Sequence, residues 1–248
     1  MDRFALVTGT SRGLGAACAA ELLRREWCVV GLSRGPAPPE LSHANYAHHQ
    51  IDLADLEALQ AFCEGPLVEE HGAASALRLG LVNNAGTLEP MGPAHKLPAA
   101  ALGQSLLANV AAPMWLVGHF LQLAGKRPLR ILDVSSGAAH KPYPGWSAYC
   151  AAKSALLRFD QVVGVEREET PALAEHDLAL VSYAPHVVAT AMQASIREMD
   201  PADFPRRARF DALLADGELV EADAVALEMA ALLESDDLPA YSERRYEP

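Results

Sequence analysis

The sequence predicts an α/β fold: a doubly wound parallel sheet with helices on both faces, forming a single three-layer α/β/α domain over residues 1–248. Three observations predict it. Short apolar runs alternate with longer amphipathic stretches along the whole chain, giving about six strand–helix units and a candidate seventh strand near the end. A glycine-rich turn, TGTSRGLG at 8–15, joins the first apolar run to an alanine-rich helix. The polar residues able to do chemistry follow the ends of apolar runs, where the ligand crevices of open α/β sheets lie.

Composition narrows the function classes. The net charge of −12 excludes an extended basic surface for nucleic acid or anionic membranes. RRAR at 206–209 is too short and too outweighed by acid to change that. Cys18, Cys28, Cys63 and Cys150 form no CxxC pair or secreted framework, so neither zinc nor disulfides are expected. His48 and His49 read as an exposed strand without a metal pattern, and His95, His119 and His140 show no zinc-binding context. No signal peptide is expected ahead of FALV, and no window is expected to reach the apolar run of a membrane span. The expected setting is cytoplasmic, with a small-molecule substrate.

FALV at 4–7 is the first strand, and Gly9, Gly13 and Gly15 in the turn after it follow G-x-x-x-G-x-G. Missing side chains there let the backbone approach a pyrophosphate at a helix N-terminus. The second strand, CVVGLSR at 28–34, ends without the carboxylate that a ribose diol wants; it ends in Arg34, with Arg12 projecting from the glycine turn. Two guanidiniums suit a ribose 2′-phosphate, which points to NADP(H), although Arg34 also fits a solvated surface position. A short third strand over 46–51 reaches Asp52, either an adenine contact or the N-cap of the next helix. LRLGLV at 77–82 runs into NNAG, where Asn83 and Asn84 read as turn formers or as a cofactor wall.

The apolar helical stretch beginning at Leu97 carries Pro113, which bends or breaks it, with Asn109 four residues upstream. Asn109 either satisfies the freed carbonyl or holds a water behind the active site. The fifth strand, ILDVSS, brings Ser136 to its end, and Tyr149 and Lys153 follow on a helix that runs to about Glu169. At i and i+4 their side chains leave one face. A phenol beside an ammonium in a partly dry cleft is expected to have its pKa lowered from about 10, and Ser136 adds a second hydroxyl donor. Cys150, next to Tyr149, faces elsewhere and reads as packed. DLALVSYAP at 177–185 is the sixth strand; a charged, proline-interrupted segment at 191–216 reads as a substrate loop or lid. A helix at 221–233 and an edge strand in AYSERRYEP complete the chain.

TGTSRGLG, NNAG, Asn109, Ser136 and YCAAK at 149–153, in that order, resemble the classical short-chain dehydrogenase/reductase family over essentially the whole chain. Within that family the chain is similar to sepiapterin reductases and bacterial benzil (diketone) reductases, through KPYPGWSAYCAAK, SYAP and an acidic tail near Glu243. The resemblance implies a Rossmann-type fold and an NADP-dependent oxidoreductase of CH–OH and C=O groups. It implies Ser136, Tyr149 and Lys153 as catalytic residues and Asn109 as the fourth, holding a proton-relay water. Cofactor contacts follow at Gly9, Ser11, Arg12, Gly13, Leu14 and Gly15, at Arg34, Asp52 and Leu53, and at Asn83, Ala85 and Gly86. Tyr149, Lys153, Pro185, Val188 and Thr190 complete that set. It also implies a homodimer or homotetramer through the helices bearing Asn109 and Lys153.

Substrate contacts are expected from Ser136, Trp146, Tyr149, His186, Met192 and Glu243. Glu243 falls where sepiapterin reductases hold a pterin by a carboxylate; Trp146, Tyr143 and Met192 offer apolar wall for a diketone instead. One departure from the family is Pro185-His186 where Pro-Gly is usual. Either the turn there is unstrained, or His186 directs its imidazole at the nicotinamide or substrate, or it caps the loop toward solvent. The alternative from another class is a non-catalytic NADP(H)-binding regulator, which the intact serine, tyrosine and lysine argue against.

Overall fold

A computed structural model describes residues 2–248, and it places seven parallel strands in one sheet. They are β1 (Arg3–Thr8), β2 (Cys28–Ser33), β3 (Tyr46–Gln50), β4 (Arg78–Asn83), β5 (Leu129–Val134), β6 (Leu178–Ala184) and β7 (Tyr241–Arg245). Their order is β3-β2-β1-β4-β5-β6-β7. The winding reverses between β1 and β4, so the chain leaves the carboxyl ends of these two strands in opposite directions and opens a crevice there. All six strand pairings are parallel, which places every strand's carboxyl end on the same edge of the sheet.

The strands read as near-continuous apolar runs because both faces are covered. Alternation sorts their side chains. Phe4, Leu6, Val30 and Leu32 face one layer with Leu59, Phe62, Leu116 and Phe120; Ala5, Val7 and Val29 face the other with Leu22, Val225 and Met229. The helices, in chain order, are α1 (Gly13–Arg24), α2 (Leu56–Glu64), α3 (Pro66–Glu69), α4 (Ala99–Leu106), α5 (Ala112–Ala124), α6 (Ser147–Glu169), α7 (Ala191–Glu198), α8 (Arg207–Ala215) and α9 (Ala222–Glu234). The three-layer architecture is the one the sequence predicts.

Four local expectations are corrected. The stretch around Pro113 neither breaks nor ends. Residues Leu107–Ala111 widen into a π-helical turn joining α4 to α5, with Ala112 N–H donating to the Leu107 carbonyl. Proline has no N–H for the carbonyl four residues before it, and a wider turn accommodates that loss without ending the helix. Ala99–Ala124 is therefore one helical stretch of 26 residues, containing an 18-residue window of mean hydropathy 1.4, long and apolar enough by length and composition to span a membrane. The proline hides this length in the sequence. One of its faces (Ala112, Leu116, Val117, Phe120 and Ala124) is packed into the core.

Segment 191–216, read as a substrate loop or lid, is largely helical and carries α7 and α8. Asp52 is not the cap of α2; Asp55 is, accepting from Ala58 N–H at 3.0 Å, while Asp52 closes its own turn on Ala54 N–H at 3.0 Å. His48 and His49 are half-buried, not exposed. His48 meets the Tyr46 hydroxyl and the Gly35 carbonyl, both at 2.9 Å, and His49 meets His71 at 2.8 Å.

Candidate active site

A cleft of about 1010 Å³ opens along the carboxyl ends of β1, β2, β4, β5 and β6, from Arg34 at one end to Trp146 and Met192 at the other. Its floor at the first end is backbone. Gly9 and Gly13 have φ of 77° and 61°, a region where a Cβ is costly. A Cβ on Gly15 would lie 2.3 Å from the Gly9 carbonyl oxygen, so that glycine serves the close packing of turn on helix and does not line the cleft. Asn84 locks the turn from behind: its side-chain amide donates to the Thr8 carbonyl at 2.9 Å. The Thr8 hydroxyl in turn accepts from the N–H groups of Asn84 and Ala85, each at 3.0 Å.

Arg12 and Arg34 both line the cleft and are exposed. Neither guanidinium has a hydrogen bond or ion pair to protein among the described residues. The backbone cradle and these two unengaged cations fit a dinucleotide bearing an extra phosphate. Ser11, Leu14, Asp52, Leu53, Ala85, Gly86, Pro185, Val188 and Thr190 also line the cleft. Asn83 does not. It is buried, and its amide donates to Asp133 Oδ1 at 2.7 Å. Successive residues at a strand end face opposite layers, so Asn84 lies at the cleft and Asn83 turns away from it.

Midway, β5 and α6 bring Ser136, Tyr149 and Lys153 together on the cleft wall. The Ser136 hydroxyl accepts from Ala138 N–H at 3.1 Å, capping a short turn at Gly137–Ala139. Tyr149 and Lys153 are buried. The Lys153 ammonium donates to the Val134 carbonyl at 2.6 Å and stands 5.8 Å from the centre of the Tyr149 ring.

The expected lowering of the phenol pKa is corrected. Burial pushes Tyr149 up to about 12; hydrogen bonding with Ser136 opposes that shift, and the nearby Cys150 adds slightly to it. Burial brings Lys153 down to about 8, against the attraction of Asp133 and Asp160. Desolvation is the largest cause for both groups, and Lys153 is not among the groups that shift the phenol. Asn109 lies behind this wall, buried. Its side chain forms a two-point bond with the Thr87 backbone, accepting from N–H at 2.9 Å and donating to the carbonyl at 2.8 Å, and reaches the Ser105 hydroxyl at 3.2 Å. It is therefore not spent on the carbonyl that Pro113 frees; it ties the π-helical turn to the loop after β4.

The far end is aromatic. Trp146 stacks on Phe204 with ring centres 4.8 Å apart and meets Tyr143, Tyr149 and Phe210 between 5.2 and 5.7 Å. Phe204 and Phe210 come from the segment read as a loop, which this cluster fastens over the cleft. Lys96–Asp203 at 2.6 Å and Arg206, donating to the Pro142 carbonyl at 2.9 Å, add polar ties. The phenylalanines were missed because an isolated aromatic in a charged segment has no periodicity to mark it.

His186 has φ of 65° and lines the cleft, with Nδ1 buried and unpartnered. The turn thus keeps a glycine-like backbone, and the imidazole pays strain to stand there. Met192 lines the cleft half-exposed. Glu243 lines it too, but its carboxylate is engaged: His140 lies at 2.9 Å on one oxygen and Gln161 donates at 3.2 Å to the other.

Comparison with known proteins follows the same lines. The family model described as short chain dehydrogenase matches residues 3–201. A benzil reductase forming (S)-benzoin, from Bacillus cereus, is 35% identical over 246 residues, covering 96% of each chain. A Xenopus laevis sepiapterin reductase is 30% identical over 258 residues, covering 93% of this chain and 90% of its own. Among solved structures, the KRED1-Pglu enzyme superposes with a TM-score of 0.79 at 28% identity, covering 97% of this chain and all of its own.

Proposed function

This chain belongs to the short-chain dehydrogenase family, and from that premise we propose an NADPH-dependent reductase of apolar ketones and diketones, with Tyr149 as the general acid. At family level it is an oxidoreductase of carbonyl groups using NAD(P)H. The observation carrying the finer reading is the joining of Ser136, Tyr149 and Lys153 in one cleft with the glycine cradle and the two unengaged arginines.

Gly9, Gly13 and the N-terminus of α1 would hold the pyrophosphate, Arg12 and Arg34 the 2′-phosphate, and Asp52 and Leu53 the adenine side. Lys153 would take the nicotinamide ribose, with Pro185, Val188 and Thr190 beside the ring. The bound cofactor supplies hydride. Ser136 and Tyr149 donate hydrogen bonds to the substrate carbonyl oxygen, and these strengthen as negative charge develops there. Tyr149 passes its proton to that oxygen. With the phenol pushed up to about 12, Tyr149 holds this proton throughout the neutral range. Lys153 supplies a fixed positive charge beside the ring, and Asn109 keeps the wall behind it in place through Thr87.

Two observations support a diketone over a pterin. The far end of the cleft is lined by Leu88, Met91, Trp146, Ile196 and Phe210, and the Glu243 carboxylate already has two partners. The second reading, sepiapterin reduction, rests on Glu243 standing at the cleft wall, where a pterin would have to displace His140 or Gln161. Assay of NADPH oxidation with benzil and with sepiapterin, using Glu243→Ala as control, decides. Preferential turnover of sepiapterin that Glu243→Ala abolishes would reverse the choice.

A homo-oligomer is supported by Leu106 on α4 and by Val162 and Val165 on α6, all exposed, and sedimentation tests it. The four unpaired cysteines support a reducing, cytoplasmic setting.

A further inference from the structure

Two aspartates are buried against Lys153 without lining the cleft. Asp133 near the end of β5 and Asp160 on α6 are 0% and 1% exposed. Two ionised carboxylates enclosed together repel one another and both lose their hydration. Their partners are few. Asn83 donates to Asp133 Oδ1 at 2.7 Å, and the Ser182 hydroxyl donates to Asp160 Oδ2. Oδ2 of Asp133 and Oδ1 of Asp160 are buried with no hydrogen-bond partner, and each carboxyl is among the groups acting on the other. Ionised carboxylates only accept, so a bond between them requires a proton on one.

The titratable groups facing the pair are Lys153 on α6 and Tyr241 of β7, the latter beside Ser182. β4 and β6 present the neutral Asn83 and Ser182. Burial pushes both carboxyls up, and the negative charge of Asp133 raises Asp160 further. A buried ammonium in turn needs a counter-charge, and among the described residues these two carboxyls are the acids acting on Lys153.

We propose that Asp133 and Asp160 share one proton, and that the single negative charge left on the pair is the counter-ion that keeps the buried Lys153 ammonium charged. The pair are then positioning residues, acting on the reaction through Lys153. This takes Lys153 as a member of the proposed catalytic set, but its readouts need neither substrate nor cofactor, so it fails separately from the assigned reaction.

The protein has four lysines, so 13C labelling at lysine Cε gives a small spectrum in which loss of one signal in Lys153→Met assigns that residue. Infrared spectroscopy at neutral pH reads the C=O stretch of a protonated carboxylic acid. Asp133→Asn and Asp160→Asn each keep one carboxylate and put an amide donor where the acid proton was. The wild type is expected to show one acid band, absent from both single variants, while the Lys153 titration in each stays within about half a pH unit of wild type. Asp133→Asn/Asp160→Leu removes the charge without setting two amide donors face to face. It is expected to lower the Lys153 titration by roughly one pH unit or more.

No acid band in the wild type means two charges, and a band persisting in either single variant means none; each overturns the proposal. So does a folded double variant with an unmoved Lys153, the outcome for a merely structural pair. If the double variant does not fold, the infrared result on the wild type and single variants decides.

Discussion

At one end of the cleft the wall is main chain: the Gly9–Gly13 turn and the first N–H groups of α1, braced by hydrogen bonds between Asn84 after β4 and Thr8 at the end of β1. At the other end it is side chain: Trp146 from the loop before α6, stacked on Phe204 and tilted against Phe210, both from the segment around α7 and α8. A backbone cradle needs particular residues at particular spacings, because only glycine tolerates the required φ and approach. An aromatic wall needs only volume and shape, which many residue combinations supply. The proposed cofactor end is therefore specified mainly by local sequence, and the proposed substrate end by assembly. The proposed catalytic residues lie between, on the rigid end of β5 and the start of α6.

Substitutions should separate the two ends. The largest effect is expected between them: Tyr149→Phe should lower kcat for ketone reduction by roughly 10²–10⁴-fold while NADPH affinity by fluorescence titration stays near wild type. A Phe variant that keeps most of its rate would remove the assigned acid. Next, Arg12→Ala and Arg34→Ala should each weaken NADPH by roughly 10–100-fold and leave NADH almost unchanged, since each charge-assisted contact contributes about 1.5–3 kcal/mol. Equal weakening of both cofactors would mean that the guanidiniums do not read the 2′-phosphate.

Phe204→Ala attacks the opposite end. Loss of a fully buried aromatic costs about 3–5 kcal/mol at its site. The expected result is loss of kcat/KM for diketones with the NADPH dissociation constant unaltered; parallel loss of both would show that the two ends are one cooperative unit. A smaller effect is expected from pH. Lys153 loses its charge as pH rises through about 8, while the Tyr149 phenol, pushed up to about 12, keeps its proton. Reductive kcat/KM should accordingly fall on the alkaline side of about pH 8, and a rate still rising above pH 9 would contradict the fixed-charge role.

The smallest change is expected from His186→Gly. Relief of a left-handed backbone at a non-glycine residue contributes about 1–2 kcal/mol, measured as a rise in Tm of a few degrees. Loss of the imidazole should alter KM for substrate more than for NADPH, and an unchanged substrate KM would make His186 a bystander.

Much of this was legible before folding. The strands were visible as apolar runs because a sheet covered on both faces leaves no polar alternation, and Ser136, Tyr149 and Lys153 were visible from spacing on a strand end and one helix face. Asn83 and Asn84 show where reading stopped: both follow the same apolar run, and only strand register sends one to Asp133 and the other to Thr8. Asp133 left a signal that went unused, a lone carboxylate inside ILDVSS, but its partner Asp160 lies on another element and no local pattern connects them. The lowered phenol pKa failed for a related reason. Adjacency on a helix predicts attraction, whereas burial of both groups, a property of the whole packed layer, sets the direction.

By itself the amino-acid order determined the α/β class, the strand succession, the glycine-rich turn and the serine–tyrosine–lysine set, because each rests on period, φ or spacing within a few residues. Only the tertiary structure decided which asparagine meets the cleft, that α7 and α8 fold down onto Trp146, that Glu243 is already engaged, and that two aspartates are buried together behind Lys153. Those depend on side chains far apart in sequence competing for the same small volume and the same few hydrogen-bond donors.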